Sequence, residues 1–346
     1  MTSKQNLTRG DGQPVEATTR TLVSRLRPFG EPSTPRSLRQ LAITATAFVL
    51  LWITMWLTLD LGYWLTLLLA LPAAGFLVRL FMIQHDCGHG SYFRSRRLND
   101  LVGRVLGVVT MTPYDYWRSL HAVHHATSGN LDRRGIGDIT MLTVGEYQAL
   151  SWPRRLLYRL YRHPLVLFGV GPLYLFVFKH RAPFDLPLSN RGLWLSVLAT
   201  NLAIVGLTAG AMGLFGPLAV LEIQLPVTAM AATIGVWLFF VQHQFEHAYW
   251  REDEGWDYAE AAVHGSSYYR LPRLLQWFTA SIGLHHVHHL WSRIPNYRLQ
   301  ECVDQVPELA RVKALTMTDS LRCARLALFD EREGRMISFR ALRRRG

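Results

Sequence analysis

Fourteen histidines stand in this chain of 346 residues, and eleven of them fall into four short groups. His85 and His89 lie in HDCGH, and His121, His124 and His125 in HAVHH; His243 and His247 lie in HQFEH, and His285, His286, His288 and His289 in HHVHH. On a helix, positions i, i+3 and i+4 share a face. His121, His124 and His125 can therefore aim at one point, as can His285, His288 and His289, while His286 sits about 100° off that face. Neutral imidazole ligates zinc, copper, nickel and iron alike, so residue type leaves the metal open. One tetrahedral zinc would take at most four of these rings, whereas nine or so suit two ions of higher coordination number. The Glu and ExxH carboxylates of soluble di-metal bundles are missing, and Asp86 and Glu246 read as acceptors for the outer ring N–H groups. His247 reads equally as ligand or support, and His286 as structural or supporting. His163, His180 and His264 are isolated and read as ordinary structural histidines.

Such a set needs rigid elements that end at one level, and the charge-free runs supply them. Residues 41–59 carry no charge and residues 61–78 repeat the feature after Asp60. Each matches the roughly 18 to 20 residues that cross a bilayer core as helix. Residues 192–242 are uncharged except for Glu222 and are broken by Gly210, Gly213, Gly216 and Pro217, which predicts a second hairpin over about 192–212 and 219–241. His85 follows the second span directly and His243 the fourth. A shorter apolar run, 163–177, holds two prolines and two glycines between basic flanks and is expected to be re-entrant or interfacial.

Lys and Arg outnumber Asp and Glu by 37 to 25, a net +12 that first suggests nucleic acid. Their placement removes that need: seven lie in 1–40, nine in 83–156 and fifteen in 242–346, and four crossings put all three blocks on one face. The positive-inside rule makes that face cytoplasmic, with both termini and every histidine group on it. A hydrophobic share of 49% excludes a disordered basic chain. Three cysteines without a CxxC pair support neither a disulfide framework nor a cysteine-rich metal site. The fold class expected is all-α and integral to the membrane: four transmembrane helices in two hairpins, with a cytoplasmic helical cap holding a histidine-rich di-metal site. Residues 1–40 read as a flexible cytoplasmic arm without a signal peptide, 41–330 as the membrane domain and 331–346 as a basic C-terminal tail.

HDCGHGSYF at 85–93, WRSLHAVHHATSGNLDRRG at 117–135, VQHQFEHAYW at 241–250 and LHHVHHLWSRIPNYRL at 284–299 resemble the membrane fatty acid desaturase family. The likeness is to its acyl-lipid desaturases of the delta-12 and omega-3 type and covers roughly residues 40–330. It implies two irons bound by His85, His89, His121, His124, His125, His243, His285, His288 and His289. It also implies that a double bond enters the acyl chain of a membrane lipid at the expense of O2 and two external electrons. His286 occupies a position the family usually fills with another residue, and the third box opens with His285 rather than the glutamine of front-end desaturases. No haem-binding HPGG segment occurs in the chain, so an external donor such as ferredoxin or cytochrome b5 is expected, in a bacterial inner membrane.

Around these boxes, Tyr116, Trp117, Trp237 and Phe240 are candidate linings of an acyl tunnel. Asp115, Asn130, Asp132 and Asp138 flank the second box as orienting or capping residues, with Asn130 the one expected to reach a metal through water. Arg133, Arg134, Arg293 and Arg298 can meet headgroup phosphates or an acidic electron donor. A lipid hydroxylase or ketolase with the same boxes is the alternative enzyme. A metal transporter is disfavoured, since only Glu222 and Arg79 put charge near the spans.

Overall fold

A computed structural model describes residues 15–184 and 189–345. Its four long apolar helices are α1 (Thr34–Leu57), α2 (Tyr63–His89), α4 (Arg191–Phe215) and α5 (Pro217–His243), each long and apolar enough to cross a bilayer. Between them lies α3 (Tyr114–Thr127), and after them the short α6 (His285–Leu290). The two hairpins form as expected. The first turns through Leu59–Leu61 around Asp60, and the second at Gly216, whose φ of +88° lets Pro217 start the next helix without a loop.

The second helix is the central one, packed between α1 and α5. Ala70, Ala73 and Ala74 are fully buried in it and lie in one core with Met55 of α1 and Ile223 and Val227 of α5. Small side chains let helices approach closely, which is how helices associate where lipid removes the hydrophobic drive. Leu195, Leu198 and Leu202 of α4 remain exposed, as a lipid-facing surface requires. The buried Arg79 donates to the carbonyl of Trp277 and lies 4.1 Å from that ring, an anchor for the loop before α6.

The run 163–177 is not one straight helix. Trp152–Tyr161 and Val166–Arg181 meet at 58°, and the second piece contains two π-helical turns. Thr233 Oγ1 donates to the Phe168 carbonyl at 2.9 Å and docks this bent element on α5.

The extramembrane part departs from expectation in three places. It holds strands: β1 (Leu142–Thr143) pairs parallel with β4 (Leu326–Asp330), β4 pairs antiparallel with β5 (Arg335–Ser338), and β2 (Tyr268–Tyr269) pairs with β3 (Ala314–Leu315). Their runs are too short for period-two alternation to show. The turn between β4 and β5 is local chemistry, with Asp330 Oδ1 accepting from the Arg332 and Glu333 amides and Gly334 at φ +61°. The tail expected over 331–346 is therefore folded through Arg343: Met336 and Ile337 are buried, and Arg345 pairs with Asp330. Nor are residues 21–40 a free arm. Leu26 and Phe29 are buried against Leu299 and Val303, Arg25 pairs with Glu308 at 2.6 Å, and α1 begins already at Thr34. The first fourteen residues of that arm lie outside the described residues.

Candidate metal centre

Local structure brings each histidine to the same level. The second spanning helix runs past its apolar stretch without a break, so His85 and His89 stand one turn apart at its end, and Gly90 closes it in the left-handed region at φ +68°. Tyr114 locks α3 against this end by donating to the Cys87 carbonyl at 2.8 Å, and Gly103 makes room for its ring: a Cβ there would lie 2.2 Å from it. His243 is the last residue of α5. The sixth helix is delivered by a strained turn in which Ala280 and Ser281 both have positive φ and Gly283 lies under the Tyr269 carbonyl, where a Cβ would be 2.3 Å away.

Nine imidazoles converge in two groups. His85, His89, His121, His125 and His288 form one, and His124, His243, His285 and His289 the other; within each, all nitrogens offered lie within 4.8 Å of one another. In the first group His121 Nε2 is 3.0 Å from His89 Nε2 and 3.1 Å from His125 Nε2, which is in turn 3.1 Å from His288 Nε2. In the second, His243 Nε2 lies 3.1 Å from His124 Nε2 and 2.9 Å from His285 Nε2. Each ring has one proton to give, so nitrogens facing several others of the same kind cannot all be hydrogen-bonded. His289 Nε2 has no hydrogen-bond partner at all. A cation satisfies the whole set at once. Metal–nitrogen bonds of roughly 2.0–2.1 Å put neighbouring ligand atoms about 3 Å apart, the spacing of the nearest nitrogens here.

Burial, reinforced by the neighbouring imidazoles, pushes His121, His125, His285, His288 and His289 well below the usual histidine range, leaving their lone pairs free for a metal. Two carboxylates back the outer nitrogens. His124 Nδ1 donates to Asp138 Oδ1 at 2.5 Å, and His85 Nδ1 lies 3.3 Å from Asp86 Oδ1. Asp86 is held in turn by the Asn296 amide at 2.7 Å and its side chain at 2.8 Å. Trp117 stacks on His121 with centroids 4.6 Å apart.

Several sequence expectations are corrected here. Glu246 and His247 do not support the rings: α5 ends at His243, both residues are exposed, and Glu246 pairs with Arg335 at 2.5 Å. Asn130 is fully buried, but it accepts from the Asp132 and Arg133 amides and donates to Asp253 at 2.8 Å, so it shapes a loop rather than facing the rings. His286 needs no such correction: off the face of its three neighbours, it donates to the Leu309 carbonyl at 3.1 Å. The aromatics on the rings are Trp117 and Phe239, the latter 5.1 Å from His124 and 5.3 Å from His243. Trp237 and Phe240 instead pack on Phe168, and Tyr116 on His180. Asp138, one of the three acids that flank the second box with Asn130, is the one that reaches a ring. Nothing in the spacing singles it out, because the turn that returns it, with Gly137 at φ +74°, is irregular.

A family model described as fatty acid desaturase matches residues 61–320, three quarters of the chain and every one of the nine convergent histidines. The chain belongs to the fatty acid desaturase family. A protein of Bacillus subtilis (strain 168), "Fatty acid desaturase", is 46% identical over 322 residues, covering 93% of this chain and 91% of its own. An "sn-1 acyl-lipid omega-3 desaturase (ferredoxin)" of Synechocystis is 30% identical over 66% of this chain and 63% of its own, and an "Omega-3 fatty acid desaturase, endoplasmic reticulum" of Vigna radiata is 29% identical over 78% and 72%. Fatty acid desaturases are oxygen-dependent oxidoreductases of lipid metabolism, and the two imidazole groups of this desaturase fit a di-metal centre at the ends of membrane helices. The hydroxylase alternative is not favoured.

Proposed function

We propose that the protein desaturates an acyl chain of a membrane lipid at a di-iron centre. One iron is held by His85, His89, His121, His125 and His288, and the other by His124, His243, His285 and His289. The observation that carries this reading is the convergence of nine imidazoles, in two sets, where α2 and α5 leave their apolar stretches. Bound iron supplies the redox chemistry that couples reduction of O2 to water, with two electrons and two protons from outside, to removal of two hydrogens from adjacent methylenes. The chain's own residues prepare that chemistry. Asp138 holds the Nδ1 proton of His124, and Asp86 faces Nδ1 of His85, which keeps each Nε2 turned inward. Phe81, Trp117 and Phe239 give the site an apolar wall that favours methylenes over water. The ferredoxin in the name of the Synechocystis relative supports a separate redox protein as electron source, with ferredoxin and cytochrome b5 the types expected. The placement of the basic blocks supports a cytoplasmic centre in a bacterial inner membrane.

The test is expression in a host that lacks polyunsaturated lipids, followed by mass spectrometry of the acyl chains and metal analysis of the purified protein. Chains lighter by two hydrogens are expected, with two irons per polypeptide. A gain of oxygen in place of the double bond would point to hydroxylation, and an iron-loaded enzyme with neither product would sink the reading.

A further inference from the structure

The two imidazole groups differ in their access to solvent. His124, His243, His285 and His289 are all at most 6% exposed, whereas His89 and His121 in the other group are only half-buried. The edge of the centre nearest the surface therefore belongs to the five-histidine group, and electron transfer weakens steeply with distance. At that edge His89 is followed by Gly90, which has no side chain to cover it. Two guanidiniums stand over this glycine: a Cβ placed there would lie 3.1 Å from Arg96 Nη1 and 3.7 Å from Arg293 Nη1. An open cleft of about 440 Å³ lies beside them, lined by Gly90, Arg94, Arg293 and Glu31 among others.

The charges at this cleft are unpaired or loosely paired: Arg96 reaches Asp100, one turn along its own helix, at 3.3 Å with its guanidinium side chain more than half exposed. Arg133, Arg134 and Arg298 are held within the protein by Asp253, Glu146 and Glu301. Arg293 is exposed and has no ion pair among the described residues. Arg94 faces Glu31 at 3.3 Å with both side chains about three-quarters exposed, a pair that exchanges readily. We infer that the Arg94, Arg96 and Arg293 rim over Gly90 is the docking surface for the electron donor, a small acidic redox protein whose carboxylates meet these guanidiniums beside His89. This rests on the desaturase reading above. Electron-transfer encounters are small and steered by charge, so a patch of this extent suffices.

The experiment uses the full-length, iron-loaded protein in nanodiscs with a plant-type ferredoxin as probe, following product against ferredoxin concentration at low and high salt. Arg293→Glu is expected to raise the ferredoxin KM roughly tenfold and flatten its salt dependence, with kcat at saturation moving far less. Arg332→Glu, in the exposed turn between β4 and β5, keeps the wild-type KM. Single turnovers driven by dithionite, which needs no docked protein, are read alongside. If Arg293→Glu fails there, the centre itself is damaged and the KM is read in Arg94→Glu. An unchanged KM and salt slope overturn the proposal. So does an unchanged KM with weakened binding to phosphatidylglycerol vesicles, which would make the rim a headgroup surface. A wild-type enzyme that works with dithionite but with no acidic redox protein overturns the docking and leaves the desaturase reading standing. One that works with neither overturns the reading beneath it.

Discussion

Two spanning helices end in the same HxxxH spacing, and they use it in opposite ways. In HDCGH the helix continues, so His85 and His89 remain on one face and both join the five-histidine group. In HQFEH the helix stops at His243, Gln244 leaves it at φ −122° and ψ 69°, and His247 is carried to the surface. The difference lies in what each end is bonded to. Asp86 and Cys87 are gripped by Asn296 and Tyr114 while still helical. Gln242 and Gln244 instead donate to the Ile282 and Ile139 carbonyls, and the Ser267 amide donates to the Gln242 carbonyl, which pulls the chain into the loop between α5 and α6. HxxxH is thus a two-ligand motif only where the backbone after the first histidine stays helical.

Deleting the second histidine of each pair separates the two helix ends most sharply. His89→Ala should remove metal from the five-histidine group and lower desaturation by at least about a hundredfold, a loss no smaller than outer partners of ligands typically cause. His247→Ala should leave iron content and product yield at wild-type levels. Equal losses in metal analysis and acyl-chain profiling would show that both pairs ligate.

A smaller effect is expected one bond further out. Asp138→Ala removes the carboxylate behind His124 and should weaken metal binding by about 10–100-fold, read as iron retained against a competing chelator. Asp138→Asn keeps an acceptor and should lie between this variant and the wild type; if all three retain iron equally, the hydrogen bond has no part in holding the ring.

Next comes the break in α5. Gln244→Leu leaves the Ile139 carbonyl without its partner and should cost about 1–3 kcal/mol, visible as a lower melting temperature with His243 still ligating. Unchanged stability would mean that the helix end is set elsewhere. The smallest effect belongs to Glu246→Ala: its pair with Arg335 is exposed, and neither melting temperature nor iron content should move measurably.

Much of this architecture is legible in the residues. The charge-free runs mark all four spans, since charge exclusion from hydrocarbon acts on every residue of a span alike. Helical spacing groups His121, His124 and His125, and also His285, His288 and His289, and sets His286 apart. What the spacing cannot carry is set by distant backbone: the end of α5, the return of Asp138 to His124, and the loop built on Asn130. The strands escape for a related reason, because β4 and β5 are five and four residues long and depend on partners rather than on pattern. Leu26 and Phe29 sit in a basic, proline-containing stretch that looks like solvent-exposed chain, yet they fill a core made by residues near 300.

The length of α2 has a consequence for the lipid. Its 27 residues measure about 40 Å, against about 30 Å of hydrocarbon, and His89 lies ten residues beyond Arg79, the first charge on the helix. With the helix near the bilayer normal, the excess of about 10 Å carries His85 and His89 beyond the oil. A methylene in the middle of an acyl chain must be hoisted out of the bilayer to reach them, and each CH2 left wet on that climb would cost about 0.8 kcal/mol. The climb is therefore feasible only along a dry wall. Phe81, Trp117 and Phe239 begin such a wall at the foot of the histidines, so the helix that raises the rings also requires that the substrate be drawn up to them.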